Sequence, residues 1–231
     1  ALLVQHSAAF TPETSCRGLG WLRVHADLIG RHAGISSDSL TSLDLSHNSL
    51  THPHSLEPLR LFTCLRALSL TGNAIADPVG LMHLPSTLDT LLLSDNHLSE
   101  LPDLGRLLPQ LRWLDVSRNG LSSCVSLASC VTLLGAELGS NPFSSLEGLE
   151  QLHQLRALGL AGTGLRDELS LRPLSLNVSL QSLALAATPV ATSCGPRLRH
   201  LLHHLLPSLR WLDLEALSAQ QHAVSSPPPP P

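Results

Sequence analysis

The sequence predicts an α/β solenoid, wound right-handed and curved, with short parallel strands on one face and tight helical turns on the other. Three observations carry this. A pattern, LxxLxLxxNxL, recurs along the chain at narrow spacing. A second pair of apolar positions follows each copy at a constant offset. Hydrophobic residues make up 43% of the 231 residues and aromatics only 3%, so the core must be aliphatic, and Leu dominates it.

The copies read LTSLDLSHNSL at Leu40–Leu50, LRALSLTGNAI at Leu65–Ile75, LDTLLLSDNHL at Leu88–Leu98 and LRWLDVSRNGL at Leu111–Leu121. They continue as LLGAELGSNPF at Leu133–Phe143, LRALGLAGTGL at Leu155–Leu165 and LQSLALAATPV at Leu180–Val190. Their starts are 25, 23, 23, 22, 22 and 25 residues apart. A degenerate copy begins at Leu19 and a terminal one, LRWLDLEAL, at Leu209. In each copy LxL places two apolar side chains on one side of a short strand. Burying each Leu is worth roughly 1.5–3 kcal/mol, but one repeat cannot cover its own face, so neighbours must stack. The Asn turns the chain out of the strand and offers its amide to loop backbone groups. Asn48, Asn73, Asn96, Asn119 and Asn141 are expected to form this ladder. Thr163 and Thr188 replace Asn in the last two copies, where a hydroxyl offers fewer bonds.

Sixteen residues after each start comes Leu56, Leu81, Leu104, Leu127, Leu149 or Leu171, and three further on Leu59, Leu84, Leu107, Cys130, Leu152 or Leu174. A spacing of three suits 3₁₀ turns or one short helical turn. Pro53, Pro78, Pro102 and Pro173 argue against long helices there. On these residues the chain resembles the leucine-rich-repeat family, in its roughly 22-residue class, typified by the leucine-rich regulator of protein phosphatase 1. The stretch LRHLLHHLLPSLRWLD, Leu198–Asp213, resembles the C-terminal cap of that intracellular class at Arg199, Leu206, Pro207, Leu209, Leu212 and Asp213, with Leu198 standing where Tyr is usual. The implied organisation is an N-terminal cap with one degenerate repeat over 1–39, leucine-rich repeats over 40–197, a C-terminal cap over 198–217, and a disordered proline-rich tail over 218–231. The tail could serve as a polyproline ligand, but such runs are more often linkers.

Net charge is −4 and all 14 basic residues are Arg; the balance gives no footprint for nucleic acid or an anionic membrane. No signal peptide and no apolar run of bilayer-spanning length is visible. Cys16, Cys64, Cys124, Cys130 and Cys194 match no zinc or disulfide framework and are expected as buried, reduced thiols in a cytoplasmic protein. Asn177-Val178-Ser179 has the glycosylation pattern, which short sequences reach by chance. His200, His203 and His204 share helical spacing, and His47, His52 and His54 share a turn; both sets lack further ligands nearby and read as solvated, so no metal or other cofactor is implied. No phosphate loop, HExxH, GxSxG or CxxC is present, and the chain reads as a non-enzyme.

Residues flanking the strand leucines face the concave surface. Trp113 is expected near its middle beside Leu92, ringed by Asp44, Asp115 and Glu137, as an interface anchor. Gly135, Ala157, Gly159 and Ala161 leave the later repeats bare, and Trp211 is expected under the cap or tail. The resemblance implies a protein-binding scaffold or adaptor in a ciliary, axonemal or microtubule-associated setting, without need of a homo-oligomer. It also implies an alternative, a regulatory subunit of a phosphatase 1-type enzyme. A third, RNA-associated reading follows from a spliceosomal relative in the same class.

Overall fold

The structure is a computed structural model that describes residues 22–23, 40–213 and 215–216. Cys16, Trp21, most of the degenerate first copy and the tail over 218–231 lie outside the described residues.

Each LxL forms a short strand, and the strands lie in chain order in a single sheet. They are β1 Leu22–Arg23, β2 Ser42–Asp44, β3 Ala67–Ser69, β4 Thr90–Leu92, β5 Trp113–Asp115, β6 Gly135–Glu137, β7 Ala157–Gly159, β8 Ser182–Ala184, β9 Trp211–Leu212 and β10 Glu215–Ala216. Neighbours from β1 to β9 pair parallel, with the central residues in one file: Leu22, Leu43, Leu68, Leu91, Leu114, Ala136, Leu158, Leu183 and Leu212. The expected parallel strands form the sheet from β1 to β9, and β10 adds an antiparallel return on β9. An antiparallel return needs only a tight turn, whereas another parallel strand needs a whole further repeat.

The file is buried from Leu43 to Leu212, as is the next inward position, Leu45, Leu70, Leu93, Val116, Leu138, Leu160 and Leu185. The core is aliphatic apart from Phe62, Phe143, Cys124 and Cys130. On the convex side the chain makes 3₁₀ turns at Pro53–Leu61, Pro78–His83, Val125–Leu127, Leu149–Gln151 and Glu168–Leu176. Their paired apolar positions are buried as the spacing of three requires. One repeat differs. Leu104–Leu107 closes as an α turn, with the Leu108 N–H donating to the Leu104 carbonyl at 2.7 Å. Leu108 is therefore fully buried and Leu107 only partly, because an α turn brings i+4, not i+3, back over i.

The far end closes through two helices, Pro189–Cys194 and Arg197–Leu205, the second burying Leu198 and Leu202. Through the repeats, the N–H after each strand donates to the next strand's last carbonyl, from Leu45 to Ser69 (2.8 Å) up to Leu160 to Ala184 (2.8 Å). Beside β8 the neighbouring strand β9 ends at Asp213, where φ is 49° and the chain turns away. There the Asp213 carboxylate accepts from Leu185 N–H at 2.7 Å and Ala186 N–H at 2.8 Å, so a side chain replaces the absent backbone.

The cysteines need correction. Cys124 and Cys130 are buried, but Cys64 is exposed, in the loop before β3, and Cys194 is only half-buried. Burial pushes the Cys124 and Cys130 thiols up to about 12. At mildly alkaline pH the folded protein is expected to react with maleimide at Cys64 while Cys124 and Cys130 stay unmodified until denaturant is added. Peptide mapping after a timed reaction checks this, and early labelling of Cys124 would contradict the packing.

Candidate functional site

The pleat of each strand puts its first and third residues on the concave face. Register then sets who meets whom. Leu92, Asp115 and Glu137 are direct neighbours across β4, β5 and β6, and Trp113 lies two residues before Asp115, paired with Thr90 and Gly135. Leu92, Trp113 and Asp115 are half-buried. Asp44 does not join them. It sits on β2, three strands from Trp113, about 14 Å at ordinary strand spacing. The expected acidic ring around Trp113 is therefore open on that side.

The carboxylates also have local duties. Asp115 accepts from the Ser117 N–H at 2.9 Å and its hydroxyl at 2.7 Å, closing the turn that leaves β5. Asp44 holds Ser46 in the same way, through the N–H at 2.9 Å and through the hydroxyl. Glu137 is 8% exposed, not open to solvent as a concave position suggests. Its Oε1 accepts from Gly139 N–H at 3.4 Å, and a Cβ built on Gly159 would lie 2.0 Å from its Oε2. The carboxylate thus lies over the space left by Gly159, and the later repeats are less bare than their small residues suggest. Gly135, Ala157 and Gly159 are all buried.

The asparagines lie behind this face, in the turns. Asn141 Nδ2 donates to the carbonyls of Val116 (2.9 Å), Leu138 (2.9 Å) and Gly139 (3.3 Å), while Oδ1 accepts from Leu121 N–H at 3.0 Å. Asn119 repeats the arrangement with Leu93, Val116, Ser117 and Leu98. Asn96 makes it with Leu70, Leu93, Ser94 and Ile75, and Asn73 with Leu45, Leu70, Asn48 and Leu50. Asn48 donates to Ser46. Each bond set from Asn73 to Asn141 ties one repeat to the one before. Thr163 and Thr188 donate only to Leu160 and Leu185 of their own repeats.

Three placements bear on other expectations. Asn177 is buried, its Nδ2 donating to Leu149 and Leu152 carbonyls at 2.8 and 2.9 Å, so the sequon nitrogen is occupied in the fold. His47, His52, His54, His200, His203 and His204 are exposed. Trp211, on β9, is 42% exposed and is not covered by the cap helices; the tail lies outside the described residues.

One feature has no counterpart in the sequence reading. The seventh residue after each start adopts positive φ in every repeat: His47, Gly72, Asp95, Arg118, Ser140, Gly162 and Ala187, between 54° and 70°. Its N–H donates to the next repeat, as from Arg118 to Gly139 at 2.9 Å. The signal was available, since no β-branched residue occupies that position.

Comparison with known proteins agrees with this architecture. Residues 39–59 match the Leucine Rich Repeat family. The chain is 30% identical over 118 residues to Receptor like protein 23 of Arabidopsis thaliana, covering 49% of this chain and 13% of that protein. It is 33% identical over 153 residues to the human serine/threonine-protein kinase 11-interacting protein, covering 66% of this chain and 12% of that protein. It is 41% identical over 64 residues to dynein axonemal assembly factor 1 of Rattus norvegicus, covering 28% and 9%. The chain thus spans a small fraction of these relatives' length. Among solved structures, an internalin C2 from Listeria monocytogenes superposes with a TM-score of 0.63 at 23% identity, covering 76% of this chain and 71% of that one. Repeat, register and neighbours agree that the chain is a leucine-rich-repeat solenoid.

Proposed function

We propose that the solenoid is a non-catalytic scaffold or adaptor that holds a protein partner against its concave face at Leu92, Trp113, Asp115 and Glu137, within an axonemal or microtubule-associated assembly. The observation that carries it is Trp113, a half-buried indole set in register beside an apolar and an acidic neighbour, on a face whose turns are rigidly bonded. An aromatic anchor held in place loses little freedom on binding. Similarity to a dynein axonemal assembly factor supports the cellular setting. Among the described residues no helix is long and apolar enough to cross a membrane.

The test is crosslinking mass spectrometry in native cells with wild type beside Trp113→Glu. The expected result is a set of axonemal or microtubule proteins that the variant loses while its melting temperature is kept. Identical partner lists would move binding off the concave face. The acidic and aromatic residues together on the concave face, Trp113, Asp115 and Glu137, favour a second reading, a regulatory subunit of a phosphatase 1-type enzyme. In that case phosphatase 1-type catalytic subunits appear in the crosslinks, and added chain changes their activity at stoichiometric ratio.

A further inference from the structure

We propose that the rim of the sheet where the chain leads into each strand is a docking surface for an acidic peptide segment of a partner protein, gripped by Arg66, Arg112, Arg156 and Arg210. The proposal rests on the reading that the solenoid binds protein, and adds to it a second surface and the chemistry of the ligand.

The residue before each strand stands in one file along the whole molecule. A continuous backbone ladder shows it: Arg66 N–H donates to Thr41 O, Asp89 to Arg66, Arg112 to Asp89, Leu134 to Arg112, Arg156 to Leu134, Gln181 to Arg156 and Arg210 to Gln181, each at 2.8–2.9 Å. Arginine therefore recurs at every second repeat. Two strand spacings separate successive guanidinium-bearing positions, about 10 Å. All four arginines are exposed. None makes an ion pair or side-chain hydrogen bond within the described residues, whereas Arg60, Arg106 and Arg199 pair with Glu57, Asp103 and Glu215.

Four unneutralised charges on one edge repel one another across about a Debye length. A ligand of opposite charge relieves that repulsion, and the guanidinium fork matches a carboxylate with two parallel bonds. A peptide in the polyproline II conformation completes a turn every three residues and advances about 9 Å, so carboxylates three apart share one face and meet successive arginines. Between the arginines the file offers Asp89, whose carboxylate already accepts from the Thr90 hydroxyl at 2.8 Å, Leu134, half-buried, and Gln181, exposed. An apolar place and an acidic one suit a mixed peptide better than a uniformly charged phosphate backbone. The concave column beside the rim, with Asp44, Asp115 and Glu137, and the net charge of −4 oppose nucleic acid as well.

The probe is a fluorescein-labelled repeating Glu-Gly-Gly peptide, read by fluorescence anisotropy with the full chain at low salt. Measurable binding that weakens as salt rises is expected. The variant carrying Arg66→Gln, Arg112→Gln, Arg156→Gln and Arg210→Gln should bind roughly fifteenfold more weakly, about twofold for each exposed pair lost. Arg60→Gln with Arg106→Gln should bind as wild type does. All these side chains are at the surface, and unchanged melting curves confirm that the variants fold. Absence of binding by the wild type, undiminished binding by the quadruple variant, or tighter binding of single-stranded oligothymidylate than of the peptide would each overturn the proposal. The concave-face reading is judged apart from it. Crosslinks lost in Trp113→Glu, together with undiminished peptide binding by the quadruple variant, would overturn the rim and leave the concave site standing.

Discussion

Asn141→Ala is expected to lower the unfolding free energy by about 3 kcal/mol, among the largest effects available outside the leucine core. The side chain is 2% exposed and makes four hydrogen bonds, three donated and one accepted. Alanine leaves the Leu138 carbonyl and the Leu121 N–H without a partner, while the Val116 carbonyl keeps the Asn119 amide and the Gly139 carbonyl keeps the Arg118 N–H. Stranding a buried polar group costs about 1–3 kcal/mol, so two such groups account for the loss. Two of the lost bonds reach the previous repeat, at Val116 and Leu121. The damage should therefore uncouple neighbours as well as weaken one repeat. Thr163→Ala is the comparison. That hydroxyl makes a single bond, to Leu160 of its own repeat, so its loss should cost about 1 kcal/mol. Urea titration followed by far-ultraviolet circular dichroism gives both values. Hydrogen exchange at the Leu121 amide should accelerate in the first variant and stay slow in the second. Equal losses at both positions would mean that the inter-repeat bonds contribute nothing.

Gly105→Ala should destabilise by about 2–3 kcal/mol through a steric conflict. A Cβ there would lie 2.2 Å from the Ser129 carbonyl oxygen and 2.3 Å from its carbon. These are backbone atoms of the next repeat, so no side-chain rotation relieves them. The helical turn Leu104–Leu107 must move away from its neighbour, which breaks the bond from the Ser129 hydroxyl to Asp103. That hydroxyl is the main reason the Asp103 carboxyl sits below its ordinary range. The variant should thus melt earlier, and its Asp103 should titrate at higher pH than in wild type, observable by NMR. Gly120→Ala provides contrast: its nearest approach is 3.3 Å and the site is exposed, so stability should stay within about 1 kcal/mol of wild type. A harmless Gly105→Ala would show that the convex turns are not in close contact.

Much of this was readable along the chain because a solenoid is nearly one-dimensional: each repeat touches only its neighbours, so sequence period maps onto spatial period. Strand positions, the inward leucines, the 3₁₀ side and a capping helix before β9 all follow from local pattern. The candidate site was less legible. Trp113, Leu92 and Asp115 could be placed side by side by counting from each start, but the same counting gathered Asp44 into a ring that strand separation keeps open. Counting also puts Glu137 in that ring, but only the fold shows its carboxylate buried over Gly139 and Gly159. The arginine file was present as LRAL and LRWL in alternate copies. It gains meaning only when the ladder shows those residues on a common edge.

The sequence by itself determined the repeat, its period, the direction of every apolar side chain in the strands, and a surface without a basic excess. Those properties depend on spacing and composition, which no fold can alter. The tertiary structure alone decided which carboxylates are engaged in turns, that the Leu104–Leu107 turn is α rather than 3₁₀, that Cys64 is exposed while Cys124 is buried, and that Asp213 ends the backbone ladder. Each of these depends on distances between atoms of different repeats, where an ångström separates a hydrogen bond from a gap, and residue spacing along the chain carries no information at that scale.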